Sequence, residues 1–257
     1  MKKAAPKLSI QVLSLFPELF TPWFAAGILG KACQKGIVRL FAVNPRDYAQ
    51  DAHKTVDDTV YGGGPGMLLK PDVFARAVAA SHTKGERVIA LHPGGKKLDR
   101  DTLCRLAGYS KIMLVCGRYE GFDARFLEYS VDERISIGDY VIMGGEAPAL
   151  VLIEGIVRRL DQVVHDGDSI LDDSYEYGLI EEDAYTRPNT FEGKEVPSVL
   201  TGGSHADIAR FRRASRIKNT YIYRPDLLLH SILSASDQEV LKNTYEELFC
   251  GKNHRSR

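Results

Sequence analysis

Residues 111–123 read KIMLVCGRYEGFD, and this stretch decides the fold. Its first part, KIMLVC, is a short apolar run with the length of a buried β-strand. Its second part is a loop with two glycines. In open α/β sheets, ligands bind beyond the carboxyl ends of the strands, where such a loop lies. The stretch therefore predicts a buried strand that leads directly into a ligand-binding loop.

Strands and helices alternate through the first 160 residues. Apolar runs predict further strands, and apolar residues at helical spacing predict helices between them. The predicted strands are residues 8–15, 38–43, 87–91 and 132–136, and the predicted helices are residues 17–34, 71–81, 99–109 and 147–160. Such alternation predicts an α/β fold with a mostly parallel sheet that is covered on both faces.

The pattern changes after residue 160. Residues 161–174 are acidic and contain glycine and serine, which is typical of a linker. Beyond them the spacing is helical, at residues 206–218, 225–231 and 237–249. We predict three parts: an α/β domain over 1–160, an interdomain linker over 161–175, and a small α-helical domain over 176–257.

Composition excludes several classes of protein. The chain has 257 residues, 44% of them hydrophobic, and no apolar run approaches the ~20 residues of a membrane-spanning helix. No membrane association is expected.

The N-terminus lacks a small-residue cleavage site, so we expect a short disordered tag before the first strand rather than a signal peptide. Four scattered cysteines, without a C-x-x-C pair or a histidine at ligand spacing, predict neither disulfides nor zinc and fit the cytoplasm.

Charge is balanced overall but segregated locally. A formal net charge of zero argues against a protein that binds nucleic acid through its overall charge. Residues 166–183 contain eight acidic residues and no Lys or Arg, whereas residues 205–224 contain six Lys or Arg and one acid. The sequence therefore predicts one acidic and one basic segment.

Three loops are rich in glycine: YGGGPGM at 61–67, CGRYEGFD at 116–123 and SIGDYVIMGGEAPA at 136–149. Any one of them is explained equally well by tight turns, but the last two both follow predicted strands, which favours a ligand lying against the backbone. No G-x-G-x-x-G pattern follows a strand. The Gly95-Lys96 pair in HPGGKK could end a phosphate-binding loop, but Ala90 stands where that loop needs its first glycine. A ligand held through a base edge, such as adenine, fits these loops better than one held through phosphate.

Five ordered motifs carry a resemblance to a known family. They are TVDDTVYGGGPGM at 55–67, LVCGRYEGFD at 114–123, SIGDYVIMGGE at 136–146, YTRP at 185–188 and GGSHADI at 202–208. Together they resemble the bacterial tRNA (guanine-N1)-methyltransferase family, TrmD, of the SPOUT superfamily, from about residue 8 to about residue 250. The resemblance implies a deep trefoil knot in the C-terminal part of the α/β domain, with S-adenosyl-L-methionine bound in it. It also implies methylation of the guanine immediately 3′ of the anticodon, guanine-37.

The resemblance implies a set of cofactor-binding residues in the glycine loops and at the strand ends before them. They are Leu91, Pro93, Gly94, Gly117, Tyr119, Gly121, Ser136, Ile137, Gly138, Asp139, Tyr140, Val141, Ile142, Gly144, Gly145 and Pro148. This assignment agrees with the independent expectation that these loops contact a ligand.

Methylation of guanine N1 requires two groups on the protein. Neutral guanine carries a proton on N1, so a base must accept that proton and a positive group must stabilise the charge that grows on O6. The resemblance assigns these roles to Asp173 and Arg158. By position alone, an Asp in an acidic run is usually a solvated surface carboxylate, and only the motif match selects Asp173 over Asp172.

Glu120 is the third candidate catalytic residue, as an acceptor for a hydrogen bond from guanine N1 or N2. The alternative is an ordinary ion pair with Arg118 or Arg125. No spacing of potential ligands decides whether Mg²⁺ takes part.

The basic segment is the candidate for tRNA binding. Arg210, Arg213 and Arg216 are spaced to form an exposed stripe that meets successive phosphates, although a solvated helix face with ion pairs is an equal alternative. His205, at an expected helix N-terminus, contacts the RNA or caps the helix. The α-helical domain is thus interpreted as the tRNA-binding domain.

The resemblance also implies a homodimer in which the linker of one subunit reaches the cofactor pocket of the other, so that the active site is shared. Two alternatives remain open: a SPOUT methyltransferase that acts on another RNA, such as ribosomal RNA, and a non-catalytic RNA-binding protein that keeps the fold. A nucleotide-hydrolysing enzyme is disfavoured because no Walker pattern is present.

Overall fold

The computed structural model describes residues 6–164, 173–229 and 231–250. The chain forms two compact units, Met1–Gly167 and Asp168–Arg257. Among the helices described, none is both long enough and apolar enough to cross a bilayer.

The first unit is built on a five-stranded parallel sheet. Its strands are β1 (Leu8–Leu13), β2 (Val38–Val43), β5 (Arg87–Lys97), β6 (Lys111–Cys116) and β7 (Glu133–Ser136). Their order in the sheet is β2-β1-β6-β5-β7, and every neighbouring pair is parallel. The predicted α/β fold with a mostly parallel sheet is therefore confirmed.

Helices cover both faces of this sheet. Side chains alternate between the faces, so that Ile112 and Leu114 of β6 enter one apolar core while Met113 and Val115 enter the other. The first core contains residues of the helices α1 (Phe20–Ala25), α2 (Gly27–Gln34), α4 (Arg100–Ala107) and α6 (Glu146–Arg158). The second contains residues of the helices α3 (Pro71–Ser81) and α5 (Ala124–Tyr129).

The single helix predicted over residues 17–34 is wrong. A short 3₁₀ turn at Pro17–Leu19 precedes α1, and the helical conformation is interrupted between α1 and α2. At the break Ala26 is extended, with φ −97° and ψ 154°, and Gly27 has φ +57°. Glycine enters this left-handed region without the steric cost that a side chain incurs, which permits the sharp change of direction.

Strand β5 is longer than the predicted strand at 87–91 and contains a bulge. Ile135 of β7 is paired with both Leu91 and Lys96, so the intervening residues loop away from the ladder. Pro93 lies in this bulge and has no backbone N–H to donate to a neighbouring strand. The bulge brings residues 92–95 to the edge of the site described below.

Two short antiparallel pairs were not predicted from the sequence. Strands β3 (Asp57–Thr59) and β4 (Met67–Leu69) flank the YGGGPGM loop, and β8 (Thr190–Phe191) pairs with β9 (Lys194–Glu195) in the second unit. Strands of two or three residues are too short for a period of two to be read from the sequence.

The second unit is mainly helical. Its helices are α7 (Ser198–Thr201), α8 (His205–Tyr223), α9 (Pro225–Leu228) and α10 (Ala235–Tyr245), followed by a π-helical turn at Glu246–Cys250. Helix α8 is longer than the predicted 206–218, and α9 is shorter than the predicted 225–231. Ser234 caps α10 through a reciprocal pair of hydrogen bonds with Asp237, which fixes where that helix begins.

Candidate active site

A cavity of about 220 Å³ lies at the carboxyl ends of β6 and β7, beside the bulge in β5. Three segments form its wall: the bulge after Leu91, the loop after β6, and the long loop between β7 and α6. Of the predicted cofactor-binding residues, those that line it are Leu91, Pro93, Gly117, Tyr119, Gly121, Ser136, Ile137, Gly138, Tyr140, Val141, Ile142, Gly144, Gly145 and Pro148. The structure thus brings residues up to 57 positions apart in sequence, from 91 to 148, to one place.

Gly94 and Asp139 were also predicted to bind the cofactor, but they do not belong to the cavity lining. The N–H of Gly94 donates to Nδ1 of His92 at 3.0 Å, at the outer edge of the bulge. The carboxylate of Asp139 accepts from Nζ of Lys97 at 2.6 Å and is 83% exposed. Both residues neighbour lining residues in sequence but point to other partners.

Five further residues line the cavity: His92, Arg118 and Met143, which lie within the segments predicted to form the pocket, and Phe122 and Ile135, which were not predicted. Each lies within or next to a segment that was predicted to bind the ligand, so sequence proximity was the available indication. Burial lowers the pKa of His92, and the positive charge of Arg134 lowers it further.

The cavity wall depends on glycine. A Cβ on Gly138 would collide with the ring of Tyr140, and one on Gly117 would lie 3.0 Å from the ring of Phe122. In the described part of the chain, the N–H groups of residues 141–144 donate no hydrogen bond to another residue. Bare backbone donors beside an apolar floor suit a flat heteroaromatic ligand such as adenine.

Two of the loops are held together directly. The N–H of Gly145 donates to the carbonyl of Gly117 at 2.8 Å, and a guanidinium N–H of Arg118 donates to the carbonyl of Met143 at 3.3 Å. Arg118 also forms an ion pair with Glu146, with 2.9 Å between Nε and Oε2. The loop after β6 and the loop before α6 therefore form one continuous wall.

Glu120 lies on this wall with an exposed side chain. Its N–H donates to the carbonyl of Met67 at 2.9 Å, which anchors the loop to β4. The alternative ion pairs do not form, because Arg118 pairs with Glu146 and Arg125 pairs with Asp123. Among the described residues, no side chain pairs with the Glu120 carboxylate, which leaves it available to a ligand.

The YGGGPGM loop approaches the same residue. A Cβ on Gly66 would meet the Glu120 side chain, with 2.6 Å to Cγ and 2.8 Å to Cδ, and Gly66 has φ +88°. The positive φ favours glycine at position 66, and the close approach places this loop against the Glu120 side chain. No particular partner was predicted for this glycine-rich loop, and the structure shows that it contacts Glu120.

The two other candidate catalytic residues lie in different units. Arg158 is the last residue of α6, in the first unit, and Asp173 is a half-buried residue at the start of the described part of the second. The carbonyl of Asp173 accepts from the N–H of Glu176 at 3.3 Å. Asp172, the alternative base, lies outside the described residues. Over the described ranges, no three His, Cys, Asp or Glu side chains are grouped as metal ligands.

The predicted stripe of exposed arginines on α8 is wrong for Arg216, whereas Arg213 is 41% exposed but engaged in an ion pair. Arg213 donates two hydrogen bonds to Asp237, at 2.8 and 3.1 Å, and Arg216 donates to Glu182 at 2.6 Å with only 13% of its side chain exposed. Acidic partners outside α8 hold both guanidinium groups. Arg210, 80% exposed and paired with Asp207 on its own helix, keeps the predicted exposed position.

His205 does not cap helix α8. It is the first helical residue, and the cap is Ser204, whose hydroxyl accepts from the N–H of Asp207 at 3.5 Å. The capping alternative for His205 is therefore wrong, and its contact with RNA stays a prediction.

The first unit has a parallel β-sheet with a glycine-walled cavity at its strand ends, and the second unit is helical. These features define a general class: α/β ligand-binding proteins with an additional helical domain. Comparison with known proteins narrows this class. The family described as tRNA (Guanine-1)-methyltransferase TrmD matches residues 8–230. The chain belongs to this family.

Full-length relatives carry the same description. A tRNA (guanine-N(1)-)-methyltransferase of Synechococcus sp. (strain JA-2-3B'a(2-13)) is 42% identical over 247 residues, covering 96% of this chain and 98% of the relative. Those of Dictyoglomus turgidum and Chromohalobacter salexigens are each 41% identical, covering 94% and 95% of this chain and 98% and 95% of the relatives. The similarity thus spans both compact units.

Proposed function

We propose that this protein transfers a methyl group from S-adenosyl-L-methionine to N1 of guanine-37 in tRNA. The observation that carries the proposal is the glycine-walled cavity at the ends of β6 and β7, in a chain that belongs to the TrmD family. Neither of the alternatives, another RNA substrate or a non-catalytic role, has an observation in its favour. The proposed compartment is the cytoplasm, where tRNA is found.

The residues of the cavity fit this cofactor. The unpaired N–H groups of residues 141–144 are suited to the adenine edge, and Leu91, Ile137 and Pro148 supply apolar surface for its ring. When bound, S-adenosyl-L-methionine supplies a methyl group activated by its attachment to a sulfonium. The cofactor carries the reactive carbon, so the chain's own task is to bind it, to orient the guanine and to remove a proton.

Three side chains are assigned to the chemistry. The Asp173 carboxylate would accept the proton from guanine N1, which leaves the electron pair of the broken N–H bond on N1. That pair would bond to the methyl carbon as the C–S bond of the sulfonium breaks and a neutral thioether leaves. The Arg158 guanidinium stabilises the negative charge that grows on O6. Glu120, whose carboxylate lies at the cavity with no partner among the described residues, orients the base by accepting a hydrogen bond from N2.

The proposal includes a particular organisation of the chain. Residues 1–160 form the methyltransferase domain with the trefoil knot, residues 161–175 form the linker and residues 176–257 bind tRNA. Since Arg158 and Asp173 belong to different compact units, a homodimer in which the linker serves the partner's cavity accounts for their joint action. Addition of a chelator to the methyl-transfer assay tests whether Mg²⁺ takes part.

Methyl transfer to defined RNA tests the proposal. Purified protein with labelled S-adenosyl-L-methionine should label a tRNA transcript that carries guanine at position 37 and should not label the same transcript with adenine there. An equal amount of ribosomal RNA fragment serves as the second substrate. Labelling of the ribosomal RNA alone, or cofactor binding without transfer to either RNA, would contradict it.

A further inference from the structure

The carboxylate of Glu146 is buried next to the cavity. Glu146 is the first residue of α6, and only 4% of its surface is exposed. Its Oε1 accepts a hydrogen bond of 2.7 Å from the hydroxyl of Ser14, which is fully buried just beyond β1. The Ser14 hydroxyl in turn accepts from the N–H of Phe16 at 3.0 Å, so its own proton is directed at Glu146.

The second oxygen of this carboxylate faces Arg118. Oε2 lies 2.9 Å from Nε of Arg118, but neither atom meets hydrogen-bond geometry with any described group, so the contact is a close ion pair. A buried charge without a partner destabilises the folded protein by on the order of several kcal/mol. The carboxylate of Glu146 and the guanidinium of Arg118 therefore depend on each other. The guanidinium also stacks 4.6 Å above the ring of Phe16.

Arg118 is held by this pair in a position that spans two loops. It belongs to the loop after β6, lines the cavity, and donates to the carbonyl of Met143 in the loop before α6. A Cβ on Gly144 would collide with the Arg118 side chain and lie 2.6 Å from Oε2 of Glu146. The backbone of Gly144 therefore lies directly on the ion pair.

We propose that Glu146, supported by Ser14, is a positioning residue for the cofactor cavity: it fixes Arg118 beneath residues 143–145 and so holds their backbone in the cavity wall. The proposal rests on the proposed function in that the cavity is taken to bind S-adenosyl-L-methionine. Glu146 itself does not line the cavity and acts through Arg118.

The test compares Glu146→Gln with Glu154→Gln in the full-length protein. Glu154 lies on the same helix but contacts Trp23, away from the cavity, so it controls for loss of an acid from α6. Calorimetric titration with S-adenosyl-L-methionine should give a Kd about tenfold weaker for Glu146→Gln and unchanged for Glu154→Gln. Hydrogen exchange of the Gly145 amide, which donates to the carbonyl of Gly117, should be faster in Glu146→Gln alone.

A double-mutant cycle shows whether Glu146 acts through Arg118. Adding Glu146→Gln to Arg118→Gln should change the Kd by less than about twofold, because the pair is already broken. If Glu146→Gln does not fold, Ser14→Ala replaces it, with an expected weakening of about threefold.

Failure of the wild-type protein to bind S-adenosyl-L-methionine would contradict the proposed function. Binding by the wild type together with an unchanged Kd in the Glu146→Gln or Ser14→Ala variant would overturn the positioning role alone. A lowered melting temperature with unchanged Kd and unchanged exchange of the Gly145 amide would overturn it as well, since it would show a purely structural role.

Discussion

The N–H of Gly145 donates a 2.8 Å hydrogen bond to the carbonyl of Gly117. This bond joins the loop after β6 to the loop before α6, two segments that meet only because β6 and β7 end at the same edge of the sheet. The contact is also close, because a Cβ on Gly145 would lie 2.7 Å from Cα of Cys116. The cavity is thus closed on one side by backbone packed against backbone.

Substitution Gly145→Ala should open this wall. The added methyl group collides with main-chain atoms of Cys116 and Gly117, which cannot rotate away as a side chain does. We expect a loss of about 1–3 kcal/mol in the free energy of unfolding and a Kd for S-adenosyl-L-methionine at least about tenfold weaker. Urea unfolding and calorimetric titration measure the two effects.

Gly202→Ala is the matched control for that substitution. Gly202 has φ −79°, and its nearest neighbour to an added Cβ is 3.4 Å away, so alanine fits there. Equal effects of the two substitutions on cofactor binding would show that the Gly145–Gly117 contact has no special role.

Stability should depend on acid pH through Asp237. Hydrogen bonds from Arg213 are the largest cause that lowers the pKa of Asp237 to about 2, against about 3.9 in an unfolded chain. The ionised form is therefore favoured by folding, and its contribution is complete above about pH 4 and is lost as the pH falls towards 2. Urea unfolding of the wild type and Asp237→Asn should differ at pH 7 and converge near pH 2; a constant difference would contradict the assignment.

Two arginines of α8 should behave differently. Arg213→Ala removes the partner of a carboxylate that is only 6% exposed and should reduce the free energy of unfolding by about 1–2 kcal/mol. Arg210→Ala, at an exposed position, should change the free energy of unfolding by less than about 0.5 kcal/mol. It should weaken tRNA binding and reduce the slope of log Kd against log salt concentration by about one. A salt dependence unchanged in Arg210→Ala would remove this residue from the tRNA site.

Mixed dimers should recover activity if the site is shared. Asp173→Ala and Gly117→Glu should each be inactive, the first by loss of the base and the second because the new side chain faces Phe122 and fills the cavity. In a mixture of the two, a hybrid dimer keeps one intact cavity with one intact Asp173. Co-expression with two affinity tags allows methyl transfer by purified hybrids to be measured, and their complete inactivity would contradict the shared site.

The core elements could be predicted because their apolar patterns are local. Strands Val38–Val43 and Lys111–Cys116 and helix Pro71–Ser81 have the predicted bounds, and each is a short apolar run or an amphipathic repeat. The break at Gly27 and the bulge in β5 were missed. At both places the backbone conformation depends on packing and strand pairing with residues distant in sequence, which a local sequence pattern does not reveal.

The site was predicted as a set of segments rather than as a set of contacts. Glycine density identified the loops, and the family resemblance supplied the residues within them. The pairing of Arg118 with Glu146, 28 positions apart, depends on the sheet order and on the absence of a Cβ at Gly144. The ion pairs of Arg213 and Arg216 likewise depend on acids at 237 and 182, which spacing along α8 does not reveal.

Single-turnover methyl transfer with Asp173→Asn tests the central claim most directly. Excess enzyme, saturated with labelled S-adenosyl-L-methionine, is mixed with tRNA that carries guanine at position 37, and cofactor Kd is measured in parallel. We predict transfer slower by about 10²–10⁴-fold with a Kd within about twofold of the wild type, because a general base is lost and the cavity is not. Transfer at the wild-type rate by Asp173→Asn would contradict the proposed mechanism.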